Sequence, residues 1–325
     1  MNLSRERLTQ VAQQTRFRPD VLEKAIRLLN LLEGFHSHPF LENRLALKGG
    51  TALNLFLFDL PRLSVDIDLN YVGSQDRETM LVERPKVEEA VAAVCSREGF
   101  AVRRLPDAHA GGKWTLRYES SSGGSANLEV DLNFMFRVSL WPVIPRDSMS
   151  IGPYSARNIP VLDIHEIAAG KLAALMARRA ARDLFDAQML LARGHLDVAR
   201  LRLAFVVYGG MNRKDWRIVA IDDVGCQADE IDTQLRPVLR EQSMPGDVRA
   251  WGKQLAEDCR KALTVVLPLN AAEREFLDRL LDHGEIVPNL LTDDSALAQR
   301  IAGHPMLEWK AQNVRQHKAK QQDAR

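Results

Sequence analysis

Two aspartates, Asp66 and Asp68, stand two residues apart in SVDIDLN, between Val65, Ile67 and Leu69. The alternation reads as a strand, whose side chains repeat every two residues, so both carboxylates share one face. Like charges facing the same way repel unless a cation lies between them, and a buried acid without a partner is costly. Hard divalent ions such as Mg²⁺ take oxygen ligands and keep waters and substrate phosphates for the rest. The pair therefore suits metal-assisted phosphoryl transfer, in which one ion activates the attacking oxygen and another holds the leaving group. A solvated strand face that carries two acids is the competing reading, and the pair alone does not exclude it.

Its surroundings favour the chemistry. Lys48, Gly49, Gly50 and Thr51 lie just upstream, at a junction between an apolar strand (45–47) and a helix expected to open near Thr51. Glycines let backbone approach a phosphate, and a helix N-terminus offers free N–H groups and the positive end of its dipole. The Thr51 hydroxyl is expected to donate to a phosphate oxygen. Arg62, between this turn and the aspartates, reads equally as a phosphate contact or as half of an ion pair. A third acid, Asp131, stands in NLEVDLNF with apolar neighbours on both sides. Beside SVDIDLN it would complete a three-carboxylate metal site and could take a proton as general base. Glu129, on the same strand face, competes for that place.

The elements that must position these residues can be read around them. Residues 1–40 look helical, with Val21, Ala25, Leu28, Leu29 and Leu32 at helical spacing. A charged helix is expected at about 84–98. Three strands follow (FAVRRL, KWTLRYES, ANLEVDLNFM), the last two joined by the hairpin turn SSSGGS. From Leu162 onward the pattern is almost wholly helical. The fold expected is α+β: a mixed sheet with helices over residues 1–158, then a helical domain over 159–325. On one straight helix Lys171, Arg178, Arg182 and Asp186 would form a stripe. That is the pattern of a solvated face, although alanines at 168, 169, 173 and 174 suggest close packing.

The order GGT, then DID, then a later apolar-Asp-apolar strand resembles the polymerase-β nucleotidyltransferases. The wording KGGTALNL…RLSVDIDLN, with HEIAAGKLAALMARRAARDLFDAQML and HPMLEWKAQN, is similar to the AbiEii/AbiGii toxin family with its MenT-type members, from about residue 15 to 315. The resemblance implies transfer of a nucleoside monophosphate from an NTP with Mg²⁺ or Mn²⁺. It also implies tRNA 3′ ends as acceptor and a cognate antitoxin as partner. It assigns function to Lys171, as a phosphate contact, and to Asp183, both offered to the cleft by the helical domain. Asp183 lies about 120° from Lys171 on a straight helix at 100° per residue. Either the helix breaks near Arg179–Ala181 or Asp186 is the partner, and Asp183 is preferred. Threonine in GGT replaces the serine common in the superfamily and keeps the hydroxyl. Competing readings are a nucleotidyltransferase acting on a small molecule such as an aminoglycoside or on a protein side chain, and a degenerate fold kept for binding.

Composition adds limits. With 44 basic and 43 acidic residues the formal net charge is +1, so RNA must meet a local patch rather than a global field. Cys95, Cys226 and Cys259 are scattered without metal-ligand spacing, and read as incidental thiols of a reducing cytosol. No apolar run approaches the roughly 20 residues of a membrane helix, and a cytoplasmic protein is expected. No zinc spacing and no Ser/His/Asp arrangement emerges; His165 reads as a helix-start residue. Trp309, near His304 and Pro305, reads as a packing anchor more than a base-stacking platform. The basic tail with Lys310, Arg315, Lys318, Lys320 and Arg325 reads more as a soluble end than as an RNA contact.

Overall fold

A computed structural model describes residues 3–105, 111–243 and 246–323. The chain divides into two compact units. The first holds Met1–Arg137, Val143–Leu162 and Asp232–Gly246; the second holds Val138–Pro142, Asp163–Ile231 and Asp247–Arg325. This differs from a single cut after residue 158. The main division falls at Leu162, and 232–246 returns to the first unit, with Arg62 bridging Leu239 and Leu63 N–H donating to Val238.

In the first unit, α1 (Arg5–Thr15) and α2 (Pro19–His36) form the helical region expected over 1–40. Arg16 closes α1 in the left-handed region (φ 60°), and Pro19, whose missing N–H costs nothing at a helix start, opens α2. Strand β1 (Leu45–Lys48) runs into a single helical turn, α3 (Gly49–Thr51), continued as a π-helical segment over Ala52–Leu57. Strand β2 (Asp66–Tyr71) follows. Helix α4 (Arg77–Arg97) begins well before the expected residue 84. Pro85 lies inside it rather than at its start, and the true N-cap is Asp76, whose carboxylate accepts from Thr79 N–H.

Among the described residues seven strands form one mixed sheet, adding β3 (Ala101–Leu105), β4 (Gly111–Glu119), β5 (Ser125–Asn133), β6 (Ile144–Arg146) and β7 (Ile159–Val161) in the order β3-β4-β5-β2-β1-β7-β6. Strands β2 and β5 are parallel neighbours, and β4 and β5 form the expected hairpin. Its turn uses Gly123 (φ 95°) and Gly124 (φ 79°), where a side chain would be strained. The hairpin tip is pinned to α2 by a buried acid. Glu23 accepts from Ser120 Oγ, Ser121 N–H and Arg27, and these donors outweigh the burial that raises its carboxyl, leaving it below the usual range.

The second unit is helical: α5 (Ile164–Arg178), α6 (Ala181–Arg193), α7 (Val198–Gly210), the short α8 (Ala228–Glu230), α9 (Val248–Ala262), α10 (Ala271–Asp278), α11 (Ser295–Ala302) and α12 (Pro305–Asp323). Helix α5 packs on α6 and α7, and α6 on α9. Buried Trp216 lies against Gly209 so closely that a β-carbon there would meet its indole at 2.0 Å. A mixed sheet with segregated helices makes the chain α+β, as expected. No helix among the described residues is long and apolar enough to cross a membrane.

Candidate active site

The sheet's alternation sorts its two faces. Ile67, Leu69, Trp114, Leu116, Val130 and Leu132 are buried, while their neighbours in sequence point the other way. On the polar face the register pairs Asp66 with Glu129 and Asp68 with Asp131 across β2 and β5. Parallel neighbours stand about 4.8 Å apart and directly paired residues share a face. Four carboxylates are thus gathered on two adjacent strands, with Asp131 exposed to solvent.

Two lysines balance part of this charge. Lys48 is the register partner of Asp68 on β1, and its ammonium lies 5.4 Å from the Phe136 ring centre. Lys113, which sequence reading passed over, is the register partner of Asp131 on β4 and forms an ion pair with Glu129 at 2.8 Å. The hydrogen bond to Glu129 holds the Lys113 ammonium above the ordinary lysine range, with the charges of Asp131 and Asp66 adding to it. Glu129 is therefore engaged by lysine rather than standing equivalent to Asp131. Only the β4–β5 register reveals Lys113; its sequence neighbourhood carries no signal.

The glycine turn meets this face at Asp68. Gly49 has φ 70°, and a β-carbon on it would stand 2.2 Å from Asp68 Oδ2. Backbone and carboxylate approach as closely as glycine alone allows. Gly49→Ala is therefore expected to displace Asp68 and to cost about 1–3 kcal/mol in backbone strain. A reaction that uses this carboxylate should slow by roughly a hundredfold through its misplacement. Steady-state rates and a thermal melt would check this; an unchanged rate would separate the turn from the reacting centre.

Two expected phosphate contacts are corrected. Thr51 is fully buried, and its hydroxyl donates to the Asp66 carbonyl at 2.5 Å, tying the glycine turn to β2 rather than facing a phosphate. Arg62 is 2% exposed, with its guanidinium donating to the Leu63 carbonyl, so it is an interior group and not one offered to a ligand. Gly50 is buried as well, its carbonyl accepting from Asn54 Nδ2. The surface of the turn is left to Lys48 and Gly49.

In the second unit the stripe expected from one straight helix does not exist, because the helix breaks. Arg179 adopts φ 55° and Ala180 becomes the N-cap of α6, which makes Asp183 a first-turn residue. The Lys171 ammonium bonds both acids, Asp183 at 3.2 Å and Asp186 at 2.8 Å, and Arg178 Nε reaches Asp183 at 2.6 Å. Both aspartates thus pair with Lys171. Burial raises the Asp183 carboxyl, but Lys171 and Arg178 more than offset this and hold it below the usual range. His165 is structural: it accepts from Asp197 N–H at Nε2 and pairs through Nδ1 with Asp163 at 2.8 Å. Burial pushes the Cys95 and Cys259 thiols up to about 12, which leaves them no nucleophilic role.

Does this donor set fit a divalent ion? Carboxylate oxygens from adjacent strands are the donors Mg²⁺ and Mn²⁺ prefer, and the crowding of like charge on one face is what a cation relieves. The backbone places Asp66, Asp68 and Asp131 suitably, although among the described residues no three acids, imidazoles or thiols converge on one point. The residues fit in kind and in strand position.

The profile of the family described as "Nucleotidyl transferase AbiEii toxin, Type IV TA system" matches residues 30–281. Among solved structures the chain is similar to MenT4, a nucleotidyltransferase toxin of Mycobacterium tuberculosis H37Rv. The TM-score is 0.63 at 19% identity, over 93% of this chain and 99% of that one, a likeness of fold. No curated protein sequence matches the chain.

Proposed function

Since the chain belongs to the AbiEii nucleotidyltransferase toxin family of type IV toxin–antitoxin systems, we propose that it transfers a nucleoside monophosphate from an NTP to the 3′ end of tRNA. The observation that carries the site is the register pairing of Asp68 with Asp131 beside Gly49. In this reading Asp66, Asp68 and Asp131 hold a divalent ion. Mg²⁺ or Mn²⁺, when bound, supplies charge neutralisation to the triphosphate. The Gly49 amide faces the triphosphate, and Lys48 adds positive charge beside Asp68. Asp131, solvent-exposed on the same face, accepts the proton of the attacking 3′-hydroxyl on a carboxylate oxygen. That hydroxyl oxygen forms the new bond to the α-phosphorus as the bond to pyrophosphate breaks. Lys113 keeps Glu129 out of this exchange through their ion pair.

The tRNA acceptor is what the sequence resemblance to MenT-type members implies. A tRNA lengthened at its 3′ end cannot be aminoacylated, so translation stops. Family membership implies an antitoxin partner, and such a substrate places the reaction in the cytoplasm. The test incubates purified protein with Mg²⁺, each α-³²P NTP in turn and total tRNA, beside Asp68→Ala. Label on tRNA with the parent and none with the variant is expected. Label on protein or small molecules, or on nothing, overturns the tRNA acceptor.

A further inference from the structure

The second unit carries a cleft of about 530 Å³ that the proposed reaction does not use. One wall is a single stripe of α12, in which Trp309, Asn313 and His317 recur every four residues with Lys318 beside the last. Arg213, after the end of α7, lies on the other side. Trp309 is not the packing anchor its sequence neighbours suggested: it is 50% exposed. Tryptophan is highly buried on average in folded chains, and an exposed one beside a cleft marks a binding surface.

The charged residues of the lining are mostly cations: Arg213, Lys310 and Lys318 against Asp282. Arg213, His317 and Lys318 are all exposed. Lys310, half-buried, donates from Nζ to the Asn212 carbonyl at 2.8 Å and so joins the two walls. Asp282 is the acid of the lining; Arg217 bonds it at 2.6 Å and is shared with Asp215 and Asp278. Lys320 lies about 20° from Trp309 around the helix at 100° per residue, which extends the basic stripe over roughly 16 Å of helix.

An aromatic face flanked by cations is how single-stranded nucleic acid is held without base readout: bases stack and phosphates meet lysine and arginine. We propose that this cleft holds one nucleotide of a single RNA strand, its base stacked on Trp309 and its flanking phosphates on Arg213 and Lys318. The choice of RNA over DNA rests on the acceptor reading above; the stacking and the charge pattern do not.

The test is a fluorescence-anisotropy titration of an end-labelled single-stranded RNA with the full chain carrying Asp68→Asn, so that no transfer occurs. Adding Trp309→Ala should weaken binding about tenfold or more, while Trp309→Phe, which keeps a ring, should restore most of it. Arg213→Ala with Lys318→Ala should lower the salt slope by about 1.4, or 0.7 for each lost phosphate contact on a single strand. Equal affinity in the Trp309→Ala protein overturns the proposal. So does full competition by AMP at comparable affinity, which would make this a mononucleotide pocket. Binding of polyglutamate in place of RNA would also overturn it, in favour of an acidic protein partner. The two readings fail separately. Trp309-dependent binding with no label reaching tRNA sinks the acceptor and leaves the cleft. Labelled tRNA with unchanged Trp309→Ala binding does the reverse.

Discussion

Asp68→Asn is expected to lower nucleotidyl transfer roughly a thousandfold or more and to leave the fold as stable as before, or more so. The amide keeps the shape of the carboxylate, and the apolar side of β2, Ile67 and Leu69, is untouched. Only charge is lost, from a face where Asp66, Asp68, Glu129 and Asp131 crowd together and Lys113 pairs with Glu129. Relief of like-charge repulsion adds stability, while a charge needed beside the triphosphate disappears. A functional site that works against the fold gives this opposite pair of signs, and a structural one does not. Label-transfer rates and a thermal melt on the same preparation would decide it. A variant that melts lower and keeps its rate would place Asp68 outside the chemistry.

Lys171→Met should destabilise the second unit by about 3–5 kcal/mol, the usual cost of removing one partner from a buried ion cluster. Asp183 and Asp186 are buried almost completely, and the lysine bonds both. Methionine fills the stem's volume but leaves Asp186 without its ammonium and Asp183 with Arg178 alone. Adding Asp186→Asn should recover part of the loss. The effect of pH has a defined sign. In the parent the Asp183 carboxyl is depressed below its ordinary 3.8, so its contribution is present above that pH and is lost as pH falls through the lower folded value. In the variant, burial is less opposed and the carboxyl rises, so protonation comes more easily. Denaturant unfolding should therefore show a smaller gap between parent and variant at pH 5 than at pH 8. A gap that does not change with pH would mean that the lysine acts through packing and not through charge.

Much of the site was legible because strands write it with a period of two. SVDIDLN and NLEVDLNF each alternate, and two such strands side by side must put their acids on one face. The glycine turn was legible because Gly49 takes a backbone conformation that other residues avoid. The misreadings share a cause: they depend on neighbours far away in sequence. Thr51 faces the Asp66 carbonyl, and Arg62 is covered by the returning segment near Leu239, which local pattern does not announce. Lys113 enters the site through strand register alone. The helix break at Arg179 carries neither glycine nor proline, so 165–186 read equally well as one helix or two. Trp309 read as a packing anchor beside His304 and Pro305; those two are buried, but α12 leaves Trp309 50% exposed.

The path of the chain has a consequence for synthesis. It passes between the two units after residues 137, 142, 162, 231 and 246. All three aspartates of the sheet leave the ribosome early, but the first unit is not complete until the stretch 232–246 has followed. Before then, Leu63 lacks the Val238 carbonyl it donates to, and Arg62 lacks the Leu239 backbone it bridges. A nascent or prematurely terminated chain that ends within α5 to α7 therefore holds the residues for the chemistry without the buttress behind them. Any activity that needs this buttress would arise only once the chain has been made through residue 246.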